Sequence, residues 1–434
     1  MMQTALECTS SNPAGTRPKP LNILVSAFAV SPSRGSEYAV GWEWIGRIAS
    51  RHSVWVITRE LEREEIEAYL RDHPGEQANV TYSFIPWHQP LHPGIVLHIV
   101  YRMRYVQWQK RCLAVARKLD AEVDFDIIHH LNTTGFREPG FLWQLGKPFV
   151  WGPVLGLRYF RLKFLRLLPI GEAIFQVAKN LTTAWMMHIA RRPKQAALAA
   201  ASIIAGTRQD AMMVSQLWKR SSRIIAPGTP PDIEQHPPMR RAQGHPLRIV
   251  WCGRIDSKKA LHLLLLSLSR LTGIDVYWEL FVIGTGPLEE HCRGMAASKG
   301  IAEHCRFVGG QPRDKVFDLM RSGHVLAHTS LYEGAGPTTV LEAMRMGLPL
   351  VGLDHCGFGD SVSDRCGILI PPTSIESAVA GFAEAIRKLS RNEELRYKMA
   401  LAAQHAAEHL SWGHKMAIVD SVYECAQSSI HRVI

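Results

Sequence analysis

A chain of 434 residues with 46% hydrophobic and 21% charged side chains is too long for one ordinary core and too apolar for disorder, so it reads as two globular domains. The net charge of +11 is uneven: residues 1–245 carry 30 Lys/Arg against 19 Asp/Glu, whereas residues 246–434 carry 20 of each. A basic first half calls for an anionic partner, whether membrane headgroups, a diphosphate-linked acceptor or nucleic acid.

Residues 1–20 are polar and Pro-rich and are expected to form a loose tail, not a signal peptide. A first domain is expected over 21–227. It opens on the apolar run Asn22 to Ala29, a buried strand, followed by the turn from Ser31 to Ser36 and a helical pattern from Ala39 to Ser50. Further strands are expected at Ser53–Thr58, Val80–Ile85, Ile127–His130, Phe149–Trp151 and Ser202–Ala205. Residues 228–246, with five prolines, read as a linker. A second domain over 247–410 repeats the alternation, with strands at Leu247–Cys252, Glu279–Ile283, Arg306–Val308, Val325–Ala327 and Leu350–Gly352. Helical patterns lie between them at Ala260–Leu271, Thr338–Met346 and Ser374–Leu389, and another runs from Asn392 to His409. Residues 411–434 are expected to hold a helix that crosses back to the first domain. The fold class is therefore α/β, with two Rossmann-like domains whose parallel sheets face each other across a cleft. Ligands in such sheets bind at the carboxyl ends of the strands.

No window reaches about 18 apolar residues, which argues against a spanning helix. The eight cysteines are scattered without a C-x-x-C pair, so reduced thiols in the cytosol are expected in place of zinc or disulfides.

Three segments carry chemistry. Gly253-Arg254 lies just past a strand end and Lys259 follows five residues later; two cations held there neutralise a departing diphosphate. The plain alternative is a solvated basic loop. Gly284-Thr285-Gly286-Pro287 joins a strand to a helix, either to admit a phosphate or ribose or simply to make a tight turn. The sharpest segment is Thr329 to Gly347 (TSLYEGAGPTTVLEAMRMG). Its Gly-rich loop presents backbone N–H groups to phosphate oxygens, and Glu333 and Glu342 are acceptors for sugar or ribose hydroxyls.

The order GRIDSKKALHLLLLSL, VIGTGP and EGAGPTTVLEAMRMGLPLVGLD resembles the family-4 (group 1) glycosyltransferases, which are retaining GT-B enzymes. GSEYAVGWEW, DIIHHLNTTGFREPGFLWQLGKPFVWGPV and the terminal SWGHKMAIVDSVYE resemble a branch found in bacterial surface-polysaccharide gene sets, and the likeness runs from about residue 22 to residue 427. This resemblance implies that Arg254 and Lys259 grip the donor diphosphate, Glu342 holds the ribose hydroxyls and Glu333 lies near the transferred sugar. Gly253, Gly284, Gly286, Gly336, Thr338 and Thr339 would shape the donor site, with Gly35 and Ser36 approaching the diphosphate from the first domain. His129 or His130 would lie beside the reacting centre, His130 being preferred; the alternative for either is a hydrogen-bonded core histidine.

Three positions depart from the family pattern. Eight residues separate Glu333 from Glu342 where the family has seven, so that counting back from Glu342 lands on Gly334. Ala260 stands where a glycine often follows the lysine, and Leu155-Gly156-Leu157 replaces a glycine run. Asp124-Phe125-Asp126 matches the D-x-D metal motif of a different glycosyltransferase fold, but it enters its strand on the far side and is read as a strand cap. No metal and no cofactor are required, because a nucleotide-diphosphate sugar is the donor substrate.

Residues 157–202, and in the same style 101–118, interleave basic and apolar side chains, which suits an anionic membrane surface. The other reading is apolar faces packed on the first domain with solvated charges. Expected partners are the nucleotide-sugar donor and a glycan or polyprenyl-diphosphate-linked acceptor, at the inner membrane face. No zinc-finger, helix-turn-helix or ribonucleoprotein signature supports nucleic acid. Competing readings are a non-catalytic sugar-nucleotide binder and a GT-B sugar-nucleotide epimerase.

Overall fold

The computed structural model describes residues 19–35, 37–87, 95–273, 276–334 and 338–428. They form two compact units. The first holds the described residues up to Leu157, then Ala184–Pro227 and those from Trp412 onward; the second holds Arg158–Thr183 and Gly228–Ser411.

The first unit is built on seven strands: β1 Asn22–Ala27, β2 Ser53–Arg59, β3 Val80–Ile85, β4 Ile127–Asn132, β5 Phe149–Val154, β6 Ser202–Ala205 and β7 Arg223–Ile224. Their order is β3-β2-β1-β4-β5-β6-β7, with every neighbouring pair parallel. Alternate β1 residues serve opposite faces, as a strand buried on both sides requires. Ile23, Val25 and Ala27 join Trp44, Ile45 and Ile48 on one side, whereas Leu24 joins Trp108, Ile128 and Trp151 on the other. The terminal helix Trp412–Ser428 completes the first of these layers. Its Trp412, Met416, Val419, Val422, Tyr423 and Ala426 recur at helical spacing and are all buried there.

The second unit has six strands: β8 Leu247–Cys252, β9 Trp278–Ile283, β10 Cys305–Gly309, β11 Val325–His328, β12 Leu350–Leu353 and β13 Gly367–Ile370. The order is β10-β9-β8-β11-β12-β13, again parallel throughout. Leu247, Ile249 and Trp251 face one apolar layer and Val250 the other. In each sheet the chain leaves its central strand in one direction and returns on the opposite side, between β1 and β4 and between β8 and β11. Such reversals open a crevice at the carboxyl ends of the two strands.

Two boundaries differ from the sequence reading. Residues 158–183 belong to the second unit, although the chain reaches them before the linker. Phe160, Phe164 and Leu168 are buried in its core, and Phe160 and Asn180 exchange two hydrogen bonds of 2.8 Å. Residues 228–246, the expected linker, are grouped with the second unit and fastened along it as a strap. Arg345 donates to Ile233 O, Gln404 to His236 O, Arg396 to Met239 O and Arg241 to Ser390 O, all at 2.6–2.8 Å. Prolines keep this strap extended and remove N–H donors that would otherwise need partners.

Candidate active site

The crevice between β8 and β11 gathers the sharpest sequence-predicted residues. Past β8 the chain turns through Gly253, Arg254 and Asp256 to Lys259. The Asp256 carboxylate accepts from the Lys258 and Lys259 N–H groups at 3.0 and 2.9 Å, which fixes the turn. Ala260 then takes a left-handed φ of 50° before the helix Leu261–Leu268 begins, so this position carries the strain that a glycine would avoid.

Past β11 the chain runs through Thr329 and Ser330 to Glu333. Thr329 is a crosspiece: its hydroxyl receives the Trp251 indole N–H at 3.0 Å and donates to Lys259 O at 2.7 Å. This link brings Lys259 Nζ onto the Glu333 carboxylate, an ion pair that the sequence did not announce. Ser330 Oγ also donates to Glu333, and His328 Nε2 lies 3.5 Å from the same oxygen. Burial raises the Glu333 carboxyl, but the His328 contact and the Lys259 ammonium more than offset it and hold the group at about 2. Glu333 is therefore a carboxylate at neutral pH, able to accept hydrogen bonds.

Arg254 extends from the same turn with its side chain 72% exposed, its Nε 3.9 Å from Asp256. At Gly253 a Cβ would stand in ordinary van der Waals contact, 3.7 Å from the Lys259 side chain. Gly284 and Gly286 also meet a packing demand. At Gly284, whose φ is 128°, a Cβ would stand 2.0 Å from Gly253 O; at Gly286 it would stand 2.3 Å from Ile255 O. These glycines let the β9 loop lie directly against the β8 loop that carries Arg254. Glu342, on the helix Thr338–Arg345, receives the Arg313 guanidinium at 3.3 Å. Thr338 is exposed and Thr339 half-buried at the start of that helix. Gly336 and Ser36 lie outside the described residues.

In the first unit, Gly35 follows β1 with nothing within 4 Å of its Cβ direction. Just beyond it, the half-buried Glu37 accepts the Thr134 N–H at 3.1 Å, tying the segment after β1 to the segment after β4. His130 is only 1% exposed, so it is a core residue and not a ring open to a crevice. Its Nε2 meets Glu138 O at 3.1 Å, and its Nδ1 has no hydrogen-bond partner among the described residues. His129 points to the opposite face, between Tyr423 Oη and Gly152 O, each at 2.8 Å. The D-x-D acids are engaged at the amino end of β4: Asp126 accepts Asn22 N–H at 2.8 Å and Asp124 pairs with Lys147.

Burial lowers His129, His130, His262, His324 and His355 from 6.5 to about 4. Below pH 6.5 the unfolded chain takes up protons that these folded imidazoles refuse until about pH 4. Their contribution to stability is therefore complete above pH 6.5 and declines as pH falls through that window, each group with a slope of at most about 1 kcal/mol per pH unit. Melting temperature is expected to drop steeply from pH 7 to pH 5. A His129→Gln variant, which replaces one of these groups, should show a shallower slope; an unchanged slope would remove this account.

Sequence reasoning missed the residues that support Glu333. His355 Nε2 meets Ser330 O at 2.7 Å, and the Glu333 N–H reaches Cys356 Sγ at 3.3 Å. Arg158, 4% exposed, stands close enough to offset part of the burial that raises the Cys356 thiol. Nothing in the local pattern around Arg158 signals this, because the contact joins positions about 200 residues apart.

Residues 232–406 match the family described as Glycosyl transferases group 1. The amylovoran biosynthesis glycosyltransferase AmsK of Erwinia amylovora is 25% identical over 211 residues, 45% of this chain and 51% of that protein. The chain spans about half the length of the curated relatives it matches. Among solved structures, the lipopolysaccharide outer core galactosyltransferase WaaB in its apo form superposes with a TM-score of 0.60 at 16% identity, covering 95% of this chain and 100% of that one. HepE from Anabaena in complex with UDP-glucose gives 0.55 at 14% identity over 95% of this chain and 100% of its own. These likenesses extend over both units and give the fold as GT-B. Over residues 232–406 the chain is thus similar to the group 1 glycosyl transferases, on a GT-B fold.

Proposed function

We propose that the protein is a retaining glycosyltransferase that moves a sugar from a nucleotide-diphosphate donor to a glycan or polyprenyl-diphosphate-linked acceptor in polysaccharide biosynthesis. The observation that carries this reading is the Lys259–Glu333 pair at the β8/β11 crevice, with the exposed Arg254 beside it. Two cations and one ionised acid are what a diphosphate bearing a hydroxyl-rich sugar needs. Arg254 and Lys259 would stabilise the charge that builds on the departing diphosphate, in place of a divalent metal. Glu333 would accept hydrogen bonds from the sugar, and Glu342 from the ribose. The bond from the anomeric carbon to the diphosphate oxygen breaks, and the acceptor oxygen bonds to that carbon from the same face. The acceptor's hydroxyl proton leaves with the diphosphate.

A ligand that binds only the native state raises its melting temperature, so UDP, GDP, ADP and dTDP are to be compared in thermal-shift measurements. UDP is the first to try, since HepE was solved with UDP-glucose. One of the four is expected to give a clear shift, and Glu342→Ala should weaken that binding by roughly tenfold, the worth of one or two hydrogen bonds to a carboxylate. No shift with any of them would sink the donor assignment. Nucleotide binding without acceptor-dependent release of the diphosphate would favour a non-catalytic binder.

A further inference from the structure

The helix Ile170–His188 shows an apolar stripe to solvent. Within the second unit, Ile170, Ile174, Val177 and Leu181 follow one another at spacings of four, three and four residues and are 38–81% exposed. That spacing puts them on one face of a helix, in a row about 16 Å long. Leu162, 57% exposed, adds to the apolar surface just ahead of it.

A surface helix normally buries its apolar stripe. Here another face of the helix is the one held down. Gln176 is 1% exposed, Asn180 is bonded to the Phe160 backbone, Ser257 donates to Glu172, and the Lys179 ammonium stands 4.5 Å over the Tyr332 ring. The stripe is thus presented outward by a helix fixed on its other side. The segment 101–118, similar in composition, behaves in the ordinary way: Tyr105, Trp108, Cys112 and Ala116 lie in the first unit's core.

Charge identifies the occupant. Residues 158–183 carry five Lys/Arg and one Asp/Glu, and Arg161, Lys163 and Arg166, immediately before the stripe, are exposed. Exposed cations beside a row of large aliphatic side chains match an interface of anionic headgroups over acyl chains. We propose that this face, Leu162 to Leu181 with its basic flank, docks onto an anionic lipid surface. The docking element also touches the donor loop, through Lys179 on Tyr332 and Glu172 on Ser257. Lipid docking and donor binding therefore share one rigid element. This goes beyond the transferase reading, because it rests on exposure and charge and needs no turnover.

The test is co-sedimentation of the intact chain with vesicles in the absence of donor, so that its failure leaves the donor-site reading untouched. Vesicles of phosphatidylglycerol and phosphatidylethanolamine are expected to bind the chain at low salt, and phosphatidylcholine vesicles to bind it about tenfold more weakly or not at all. Ile170→Ser/Ile174→Ser/Leu181→Ser should weaken anionic-vesicle binding by about tenfold or more. Arg161→Glu/Lys163→Glu/Arg166→Glu should weaken it similarly and flatten its salt dependence. All six positions are exposed, so both variants should melt with the wild type. Absence of vesicle binding, or binding indifferent to both variants, would overturn the proposal. So would a dimer that the triple serine variant converts to monomer without vesicle binding, because a second copy would then be what covers the stripe.

Discussion

Lys259→Ala is expected to lower the rate of sugar transfer by roughly 10²–10³-fold, the usual cost of removing one charge-stabilising donor from a transition state. The residue holds the Glu333 carboxylate and, in the proposed reaction, a diphosphate oxygen, so its loss would also leave a largely buried acid without its cation. That second effect raises the Glu333 carboxyl and weakens the fold around it. The double variant Lys259→Ala/Glu333→Gln separates the two contributions. A neutral amide no longer needs the ammonium, so the double variant should recover melting temperature while transfer remains as slow as in the single variant. Lys259→Ala within a few-fold of wild type would show that the lysine only supports the glutamate.

Gly284→Ala should be the most damaging single-methyl change in the donor region. Two penalties fall on the same carbon. The backbone sits at a φ of 128°, which costs a residue with a Cβ about 1–3 kcal/mol. The new methyl would stand 2.0 Å from Gly253 O, an overlap that only a shift of one loop can relieve, at a typical further cost of about 1–3 kcal/mol. Because Gly253 carries Arg254, the shift moves the cation as well. Both a lower denaturation midpoint and weaker nucleoside-diphosphate binding are therefore expected. Gly334→Ala, where nothing lies within 4 Å, is the control that should leave stability nearly unchanged. Equal behaviour of the two variants would mean that the close approach at Gly284 is not rigid.

The contrast between these two sites shows what is legible in a sequence. Glycines at 284 and 286 are visible in the sequence as a strand-to-helix turn, read there as admitting a phosphate or ribose or as simply tight. Their close approach to the neighbouring loop is fixed only when β8 and β9 pair. Similarly, Arg254, Lys259, Glu333 and Glu342 could be named from order and residue type. The Lys259–Glu333 pair could not, because it depends on the Thr329 crosspiece between two segments about 70 residues apart. His129 and His130 form a further case. Alternation on β4 sends them to opposite faces, yet only the packing of Tyr423 from the terminal helix and of Glu138 says what each ring meets.

Strand positions were readable because a parallel sheet covered on both faces demands apolar stretches, and Phe149–Trp151 and Leu350–Leu353 are such stretches, buried throughout. The strands β7 and β13 were missed; β7 is only two residues long, too brief to show a pattern. The sequence by itself determined the α/β alternation, the two-domain division and the residue types gathered at the β8/β11 crevice, since these follow from local hydrophobic period and short motifs. Tertiary structure alone decided that residues 158–183 join the second unit and that residues 228–246 are a fastened strap. It also decided that Glu333 is held ionised by Lys259 and that one basic segment hides its apolar face while another presents it. Each of these depends on contacts between residues far apart in the chain, where burial and charge are set by a neighbour that no local pattern specifies.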